Sequence, residues 1–337
     1  MAVLVTGGAG YIGSHMALEL SDNGETVIVL DNLSTGSPRL VPLGVSLIEG
    51  DIGDEALLGR ILSEHPIDAI FHFAGSIVVP DSVADPLGYY LNNTVKSRGL
   101  IAAALAHGVK HFIFSSTAAV YGVPERTPVS EDAPMQPISP YGWSKLMTER
   151  MLADTAAALP LRYCALRYFN VAGADAAGRS GQATPRATHL IKAACEAVTG
   201  KRAFLDVYGT DYPTADGTCV RDYIHVTDLA RAHWQALLHL RAGGDNLVLN
   251  CGYGRGYSVL KVIDTIKHVS GVDFDVRFSP RRAGDPAELV AGIHRIHEWL
   301  PAWRPQFEDL ELIVEHALNW ERKLEAHARA QTVAAAE

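Results

Sequence analysis

The stretch that decides the fold is Val3-Leu4-Val5-Thr6-Gly7-Gly8-Ala9-Gly10-Tyr11-Ile12-Gly13, close to the start of the chain. An apolar, β-rich run leads directly into glycines, and an amphipathic helical pattern follows over residues 11–23. Glycine is needed where the backbone turns tightly against a ligand, because a Cβ would collide there. A helix that begins after such a turn directs its N–H groups and its positive dipole end toward phosphates. The stretch therefore predicts a dinucleotide-binding βαβ unit.

An acidic residue follows the second predicted strand. That strand covers residues 26–30, and Asp31 comes next, about 20 residues beyond the glycines. A carboxylate at this position accepts hydrogen bonds from the 2′-hydroxyl of an adenosine ribose and disfavours a 2′-phosphate. Glycines that serve only a tight turn would not require strand, helix and acid in this order. The pattern therefore predicts NAD rather than NADP.

Strand and helix patterns alternate through the first half of the chain. Predicted strands cover residues 2–6, 26–30, 45–49, 69–73, 111–115 and 161–168. Predicted helices cover 11–23, 55–64 and 86–107, and one more follows Pro140. Nearly continuous apolar strands between amphipathic helices are typical of parallel sheets covered on both faces. The fold class expected is α/β, with a Rossmann-type doubly wound parallel sheet.

The sequence pattern changes after Ala172. Residues 173–187 are rich in Gly, Ala, Ser and Thr, which predicts a loop. Beyond the loop, helices near 190–199, 227–241 and 258–270 are interleaved with short strands near 204–208, 247–250 and 273–279. We therefore expect an NAD-binding domain at 1–171, a smaller α/β domain at 172–325, and an Ala-rich tail that frays at 326–337. Part of 220–252 is expected to return to the first domain.

Composition bounds the classes of function. The 337 residues are 48% hydrophobic and 20% charged, near the ordinary globular averages, and the length predicts two domains. A net charge of −9 offers no electrostatic footprint for nucleic acid or anionic lipid. Neither a membrane-spanning apolar run nor a signal-peptide pattern occurs. We therefore expect a cytoplasmic protein with no nucleic acid or membrane partner.

The cysteines and histidines give no metal pattern. No two of the four cysteines lie within three residues of each other, so no CxxC pair exists: they are Cys164, Cys195, Cys219 and Cys251. His294 and His297 could share a helix face, but two ligands do not make a zinc site. We therefore expect reduced thiols and no bound metal.

A second constellation is Ser139-Pro140-Tyr141-Gly142-Trp143-Ser144-Lys145. Pro140 suits a first helical turn, and the spacing of four puts Tyr141 and Lys145 on one helix face. A phenol is a poor base at its usual pKa near 10. A neighbouring ammonium and a cationic nicotinamide both favour phenolate and lower that pKa. Alone, such a pair is common on solvated helix faces, but after a dinucleotide loop it predicts a catalytic pair.

A third segment, Phe114-Ser115-Ser116-Thr117-Ala118-Ala119-Val120-Tyr121-Gly122, follows a predicted strand, where the ligand-contacting loops of such sheets lie. A hydroxyl in this loop can hydrogen-bond a substrate oxygen, and Thr117 is the candidate. The alternative is a hydroxyl that satisfies its own turn.

Together these motifs resemble the extended short-chain dehydrogenase/reductase superfamily and, within it, the UDP-glucose 4-epimerase family. The likeness covers nearly all of residues 1–325. Its later motifs are Leu166-Arg167-Tyr168-Phe169-Asn170, Asp211-Tyr212-Pro213-Thr214-Ala215-Asp216-Gly217-Thr218, Val220-Arg221-Asp222-Tyr223-Ile224-His225-Val226 and Pro280-Arg281-Arg282-Ala283-Gly284-Asp285.

The resemblance implies an NAD-dependent 4-epimerase that interconverts UDP-glucose and UDP-galactose through a transient 4-keto sugar. Tyr141 would remove the proton of the 4-hydroxyl, with Lys145 and Thr117 as the other catalytic residues. Hydride would pass to NAD⁺ and return to the opposite face after the sugar turns over. A homodimer built from the helices around 86–107 and 140–159 is also implied.

The resemblance also implies a set of cofactor contacts at the glycine loop, the strand ends and the catalytic helix. They are Gly7, Gly10, Tyr11, Ile12, Gly13, Asp31, Asn32, Asp51, Ile52, Phe73, Ala74, Gly75, Asn93, Ser115, Tyr141, Lys145 and Tyr168. For Phe73, core packing at a strand end is an alternative of similar weight. Ile77 stands where some family members place a lysine near the cofactor.

The implied substrate contacts are Thr117, Tyr141, Asn170, Thr188, Leu190, Tyr208, Arg221, Arg282, Asp285 and Leu289. The two guanidinium groups suit a diphosphate, whose oxygens they match geometrically. Tyr208 falls where the family places an aromatic ring against uracil. For the polar members, ordinary surface or capping roles are the alternative.

Departures from the family pattern also occur among the implied substrate contacts. Where some members have Asn-Asn-Leu, this chain has Thr188-His189-Leu190, and His189 is explained equally well as a helix-start residue. Leu289 stands where some epimerases carry a bulky aromatic residue that limits substrate size. We therefore expect partial acceptance of N-acetylated sugars.

Other activities occur on the same fold, and the residues next to Thr117 help to distinguish them. A nucleotide-sugar 4,6-dehydratase needs a pair of acids beside it, and this chain has Ala118-Ala119. A 4-epimerase of UDP-N-acetylglucosamine or a UDP-pentose uses the same apparatus and stays open. A non-catalytic NAD-binding sensor or scaffold typically lacks the tyrosine or the lysine, and both are present here.

Overall fold

The computed structural model describes residues 1–184, 187–282 and 284–334. Thirteen strands lie in the described part of the chain: β1 Ala2–Thr6, β2 Thr26–Asp31, β3 Ser46–Glu49, β4 Ile67–His72, β5 His111–Thr117, β6 Arg162–Tyr168, β7 Asn170–Ala172, β8 Leu205–Tyr208, β9 Val220–His225, β10 Leu247–Cys251, β11 Gly256–Ser258, β12 Val276–Ser279 and β13 Glu288–Leu289.

The same described residues form eleven α-helices: α1 Tyr11–Asp22, α2 Glu55–Glu64, α3 Val79–Ala84, α4 Pro86–Tyr89, α5 Lys96–Ala106, α6 Pro140–Ala158, α7 Leu190–Val198, α8 Val226–Arg241, α9 Val259–Ser270, α10 His294–Trp299 and α11 Leu310–Ala334. No helix in the described ranges is both long enough and apolar enough to cross a membrane.

The largest sheet has seven parallel strands in the order β3-β2-β1-β4-β5-β6-β10. The chain winds outward from β1 in both directions, so the direction of winding switches between β1 and β4. In an open α/β sheet, ligands bind at such a switch point, beyond the carboxyl ends of the strands. The predicted fold class, a Rossmann-type doubly wound sheet, is confirmed.

Helices cover both faces of this sheet. One face packs against α1 and α8 around Val5, Phe71 and Leu166, all completely buried. The other face packs against α2, α5 and α6 around Leu4 and Phe112. Because both faces are covered, the strands carry apolar residues without alternation, which is why they were recognisable in the sequence.

Residues from the second half of the chain complete this sheet. Strand β10 pairs with β6 at the sheet edge, and α8 packs against α1. Beyond 220–252, Ile296, Leu300 and Trp303 also pack into the core that α1 and α8 share. The chain therefore returns to the large sheet more than once.

A smaller unit lies on the carboxyl side of the sheet. Strand β9 pairs with β7 and β13 in parallel and with β11 antiparallel, and β8 pairs with β12. A separate apolar core joins α7, α9 and α11 beneath these strands.

One expectation about a helix was wrong. Residues 86–107 form α4, a π-helical segment Tyr90–Val95 and α5 rather than one regular helix. The π-helical turn places Asn93 in the interior, where its amide bonds Ser76 and Ser144. Helix α11 continues through the tail to Ala334, and alanine is the best helix former. Fraying of the tail from 326 stays a prediction. Residues 335–337 lie outside the described part.

Candidate active site

The glycine loop lies where β1 meets the end of β4. Gly7 has φ +71°, and a Cβ there would lie 2.6 Å from the backbone nitrogen of Ala74. A Cβ on Gly13 would lie 2.2 Å from the carbonyl oxygen of Gly7. Helix α1 then begins at Tyr11, and its N-cap residue, Gly10, provides no side-chain cap. Its first N–H groups are therefore open to an anion, and the concave loop fits a diphosphate.

Asp31 ends β2 next to this loop and is buried. Its carboxylate accepts hydrogen bonds from the backbone N–H groups of Ala9 (2.9 Å) and Leu33 (2.8 Å). Each carboxylate oxygen can accept a further bond, so a ribose hydroxyl remains a fitting partner. Asp31 therefore links the glycine loop to the position predicted for the adenosine ribose.

Other predicted cofactor residues border the same loop. Asn32 and Lys96 donate hydrogen bonds to the Asp51 carboxylate, at 2.9 and 2.8 Å. Burial raises the pKa of Asp51, but these bonds and that of the Gly53 N–H outweigh it, and the net shift is downward. Ile52 is buried in the core beside α2. Asp51 therefore stays ionised beside the loop at neutral pH.

The end of β4 is fixed from two sides. The N–H groups of Phe73 and Ala74 donate to the Thr6 carbonyl at 2.9 and 3.1 Å. The Asn93 side chain bonds the backbone of Ser76, and a Cβ on Gly75 would lie 3.0 Å from the Asn93 Oδ1. Phe73 is half-buried, and its ring centre lies 5.0 Å from that of His233. Ile77 is 46% exposed.

Tyr11 and Ile12 follow the glycines on α1. The Tyr11 hydroxyl donates to the Gly173 carbonyl at 2.7 Å, and Ile12 packs on the core shared with α8. Tyr11 therefore connects the glycine loop to Gly173, where the smaller unit begins.

The predicted catalytic residues meet at the carboxyl end of β5. Lys145 on α6 donates from Nζ to the Ser115 carbonyl at 2.9 Å, and the Tyr141 hydroxyl lies beside the Thr117 hydroxyl, which lowers the tyrosine pKa. The Thr117 Oγ1 also accepts a bond from the Ala119 N–H. Ser115 bonds the Tyr168 hydroxyl on β6. Residues far apart in sequence thus form one buried cluster.

The charge states of this cluster follow from its burial. Burial raises the pKa of Tyr141 to about 12, the Thr117 hydrogen bond lowers it in part, and Tyr89 raises it slightly. Burial lowers the pKa of Lys145 to about 8. In the protein alone, desolvation exceeds the stabilisation of a phenolate. The lowering of the tyrosine pKa by the ammonium together with a cationic nicotinamide stays a prediction.

Most predicted substrate residues belong to the smaller unit. Asn170 on β7 follows Tyr168 closely, and its side chain donates to the Asp222 carbonyl at 3.4 Å. Leu289 on β13 pairs in register with Arg221 on β9. The Arg221 guanidinium lies 3.5 Å from the Asp285 carboxylate. Strands β7, β9 and β13 thus bring Asn170, Arg221 and Leu289 onto one small sheet.

A second basic group lies beside this sheet. The Arg282 guanidinium lies 3.8 Å from the ring centre of Tyr208, so the predicted diphosphate and uracil contacts are neighbours. Leu190 and His189 line a cavity with Asn170, whereas Thr188 is exposed and does not line it. Gln182 hydrogen-bonds the His189 ring at 3.0 Å.

Sequence reasoning missed a buried polar network behind the cluster. Glu149 on α6 pairs with Arg167 on β6, and Ser116 donates to Glu149. A second buried acid, Asp222, lies outside that network. It accepts hydrogen bonds from the N–H groups of Tyr253, Gly254 and Ala291, and burial raises its pKa to about 6. The one available hint was spacing: Glu149 is four residues beyond Lys145. No group of metal-ligating side chains occurs among the described residues.

Known proteins similar in sequence and structure include several epimerases. The model of the NAD dependent epimerase/dehydratase family matches residues 3–252. A UDP-glucose 4-epimerase of Azospirillum brasilense is 59% identical, over 96% of this chain and 92% of that protein. The structure is similar to a UDP-glucose 4-epimerase of Brucella ovis in complex with NAD, with TM-score 0.92, 45% identity, and coverage of 95% and 98%. It is also similar to a UDP-Glc/GlcNAc 4-epimerase of Campylobacter jejuni, with TM-score 0.83, 47% identity, and coverage of 96% and 99%.

Proposed function

Because this chain belongs to the NAD-dependent epimerase/dehydratase family, we propose that it interconverts UDP-glucose and UDP-galactose by inverting C4 of the sugar. NAD is its cofactor, and a UDP-sugar is its substrate. One observation carries this proposal beyond family membership. Tyr141, Lys145 and Thr117 meet at the end of β5, on the sheet edge that also carries the glycine loop.

The described residues fit NAD. The glycine cradle and the uncapped start of α1 suit its diphosphate, and Asp31 suits the ribose hydroxyls. When bound, this cofactor supplies reversible hydride acceptance at C4 of the sugar. The remaining contacts we propose are those of the cofactor set predicted from the sequence, with Asn93, Ser115 and Tyr168 nearest to the catalytic cluster.

In the proposed reaction, Tyr141 takes the proton of the 4-hydroxyl and later returns it. Its phenolate needs nearby positive charge, because its pKa, raised mainly by burial, is about 12. Lys145 supplies an ammonium on the same helix face. Thr117 donates a hydrogen bond to the 4-oxygen of the sugar. Ala118 and Ala119 offer no carboxylate beside Thr117 that could support dehydration.

We propose that the site binds the nucleotide part of the substrate tightly and the sugar weakly. Arg221 and Arg282 hold the diphosphate, and Tyr208 stacks on uracil. Asn170, Asp285 and Leu289 complete the pocket, with Thr188 and Leu190 at its border. A weak sugar grip lets the 4-keto sugar present either face while the nucleotide stays anchored. We also propose the division of labour expected above, with 1–171 binding NAD and 172–325 binding the UDP-sugar.

The test is incubation of the purified protein with a panel of UDP-sugars and no added NAD. We expect interconversion of UDP-glucose and UDP-galactose, resolved by chromatography, because the cofactor is regenerated in each cycle and stays bound. Denaturing the same preparation releases the bound nucleotide for identification. Bound NAD with no turnover of any UDP-sugar would favour the sensor or scaffold alternative.

We expect slower turnover of UDP-N-acetylglucosamine by the same site. Leu289 is a half-buried aliphatic residue beside Arg221, smaller than an aromatic ring. A relative with 47% identity is a UDP-Glc/GlcNAc 4-epimerase. Leu289→Tyr should lower the rate on the N-acetylated sugar roughly 10-fold or more and spare UDP-glucose. A wild-type protein inactive on UDP-N-acetylglucosamine would contradict this expectation. UDP-pentoses belong in the same panel.

We propose a homodimer and a cytoplasmic location. An apolar surface runs along α3, α4, the π-helical segment and α6, and it includes Leu87 (78% exposed), Leu91, Val95, Trp143 and Met147. A group of exposed apolar side chains on neighbouring helices is typical of an interface between subunits. Its segments overlap the helices expected to form the dimer.

Sedimentation of the wild-type protein should therefore give the mass of a dimer. Leu91→Glu should shift it to a monomer, because a carboxylate would be buried at the interface. Leu43→Glu is the matched control, since Leu43 is fully exposed outside the patch and its replacement should leave the dimer intact. A monomeric wild-type protein would refute the assembly.

A further inference from the structure

Three residues on one face of α6 hold three consecutive residues at the end of β5. The Tyr141 hydroxyl lies beside the Thr117 hydroxyl, which lowers the tyrosine pKa, and Lys145 donates to the Ser115 carbonyl at 2.9 Å. Glu149, one further turn along the helix, accepts a bond from the Ser116 Oγ. Only the first two of these helix residues belong to the reaction proposed above. Glu149, the third, holds Ser116, which lies between Ser115 and Thr117.

Glu149 is itself held in place by Arg167. The guanidinium donates from Nη2 to Oε2 at 2.6 Å and from Nε to Oε1 at 3.0 Å. Both side chains are almost completely buried, at 4% and 6% exposure. Arg167 pairs in register with Ser116 across β5 and β6. A two-point ion pair of this kind has a fixed geometry, so the carboxylate cannot shift without leaving a buried charge unpaired.

The same guanidinium extends the network to the loop after Thr117. Its Nη1 donates to the Tyr121 hydroxyl at 2.9 Å, and that hydroxyl donates to Asn250 Oδ1 at 2.7 Å. Asn250 in turn donates to the Val129 carbonyl at 2.8 Å. The network therefore fixes the backbone on both sides of Thr117.

We propose that Glu149, backed by Arg167, is a positioning residue that sets the Thr117 hydroxyl against Tyr141 by holding Ser116. This inference rests on the epimerase reaction proposed above. Without the Ser116 bond, the Lys145 bond to the Ser115 carbonyl would remain to hold this strand end against α6. Reacting groups displaced by a fraction of an ångström lose much of their rate advantage. Glu149 acts here through geometry, because burial alone sets the pKa of Lys145 at about 8.

Ser116→Ala is the sharpest test, because it removes the bond to Glu149 and leaves the buried ion pair intact. We expect kcat to fall about 10-fold, with KM for UDP-glucose and the content of bound NAD within about twofold of wild type. The pH at which kcat reaches half its maximum should rise. The Thr117 bond lowers the pKa of Tyr141, and a displaced Thr117 would bond it less well.

Thr265→Val is the matched control. It removes another buried hydroxyl, which donates to the Lys261 carbonyl within α9, far from β5 in the fold. It should leave both kcat and the pH profile unchanged. A purely structural effect of losing a buried hydroxyl would move the melting temperatures of both variants and the pH profile of neither.

A double variant guards against unfolding. Glu149→Gln alone would leave Arg167 buried without its ionic partner, whereas E149M/R167M removes both charges together. We expect the double variant to fold, to bind NAD and to show the same rise in the half-maximal pH. An unchanged half-maximal pH in Ser116→Ala, with or without a lower kcat, would overturn the positioning role. A wild-type protein inactive on UDP-glucose would instead overturn the proposed function.

Discussion

Tyr141→Phe is expected to lower kcat for UDP-glucose by about 10³- to 10⁴-fold and to leave NAD bound. The substitution removes the only atom of this side chain that can take a proton and keeps the ring in its buried place. The glycine loop, Asp31 and Lys145 are untouched, so the cofactor contacts proposed for them remain. The measurement is the initial rate of UDP-galactose formation, with the bound nucleotide quantified on the same sample.

Tyr163→Phe is the control for this variant. Tyr163 is also buried, but it lies near the start of β6, at the opposite end of the sheet from the catalytic cluster. Loss of its hydroxyl should leave kcat within about twofold of wild type, since substitutions away from functional contacts usually have small effects. Comparable activity of Tyr141→Phe and wild type would refute the assignment of the base.

Gly7→Ala is expected to abolish retention of NAD. Alanine at φ +71° is strained by about 1–2 kcal/mol, and its Cβ would lie 2.6 Å from the Ala74 nitrogen. Relief of that clash must push the end of β4 away from β1, because backbone atoms on both sides leave no flexible group to move. The cradle for the diphosphate would open, and we expect purified protein with less than a tenth of the wild-type NAD content.

Gly24→Ala separates the two effects. Gly24 has φ +80°, so alanine meets a similar backbone strain, but no atom lies within 4 Å of the added Cβ. We expect a melting temperature lowered by a few degrees and full NAD content. Equal NAD loss in both variants would mean that general destabilisation, rather than crowding at the loop, explains the result for Gly7.

The large sheet was predictable because most of its strands have a central run of apolar residues, as in β1, β2 and β10. Strand β1 and helix α2 have the predicted bounds, and the other strands of this sheet differ by at most two residues at either end. The small sheet was not predictable in the same way. Strands β7, β11 and β13 have two or three residues, too few to show a periodic pattern, and their pairing depends on tertiary contacts.

The site was predictable where chemistry lies in local spacing. Tyr141 and Lys145 are four residues apart, so one helix explains both. Glu149 and Ser116 are 33 residues apart, and neither stands in a pattern that suggests the other. The direction of the Tyr141 pKa shift also depends on burial, which a sequence motif does not report.

The pairing of β10 with β6 has a consequence for synthesis on the ribosome. When the first 171 residues have emerged, β6 is an open edge with unpaired backbone groups, and α8 does not yet cover its face of the sheet. Open edges of this kind pair readily with other chains. The dinucleotide-binding half, although encoded first, is completed only after Cys251 has been translated. A nascent chain stalled between these points exposes this unpaired strand edge, which favours association with other chains.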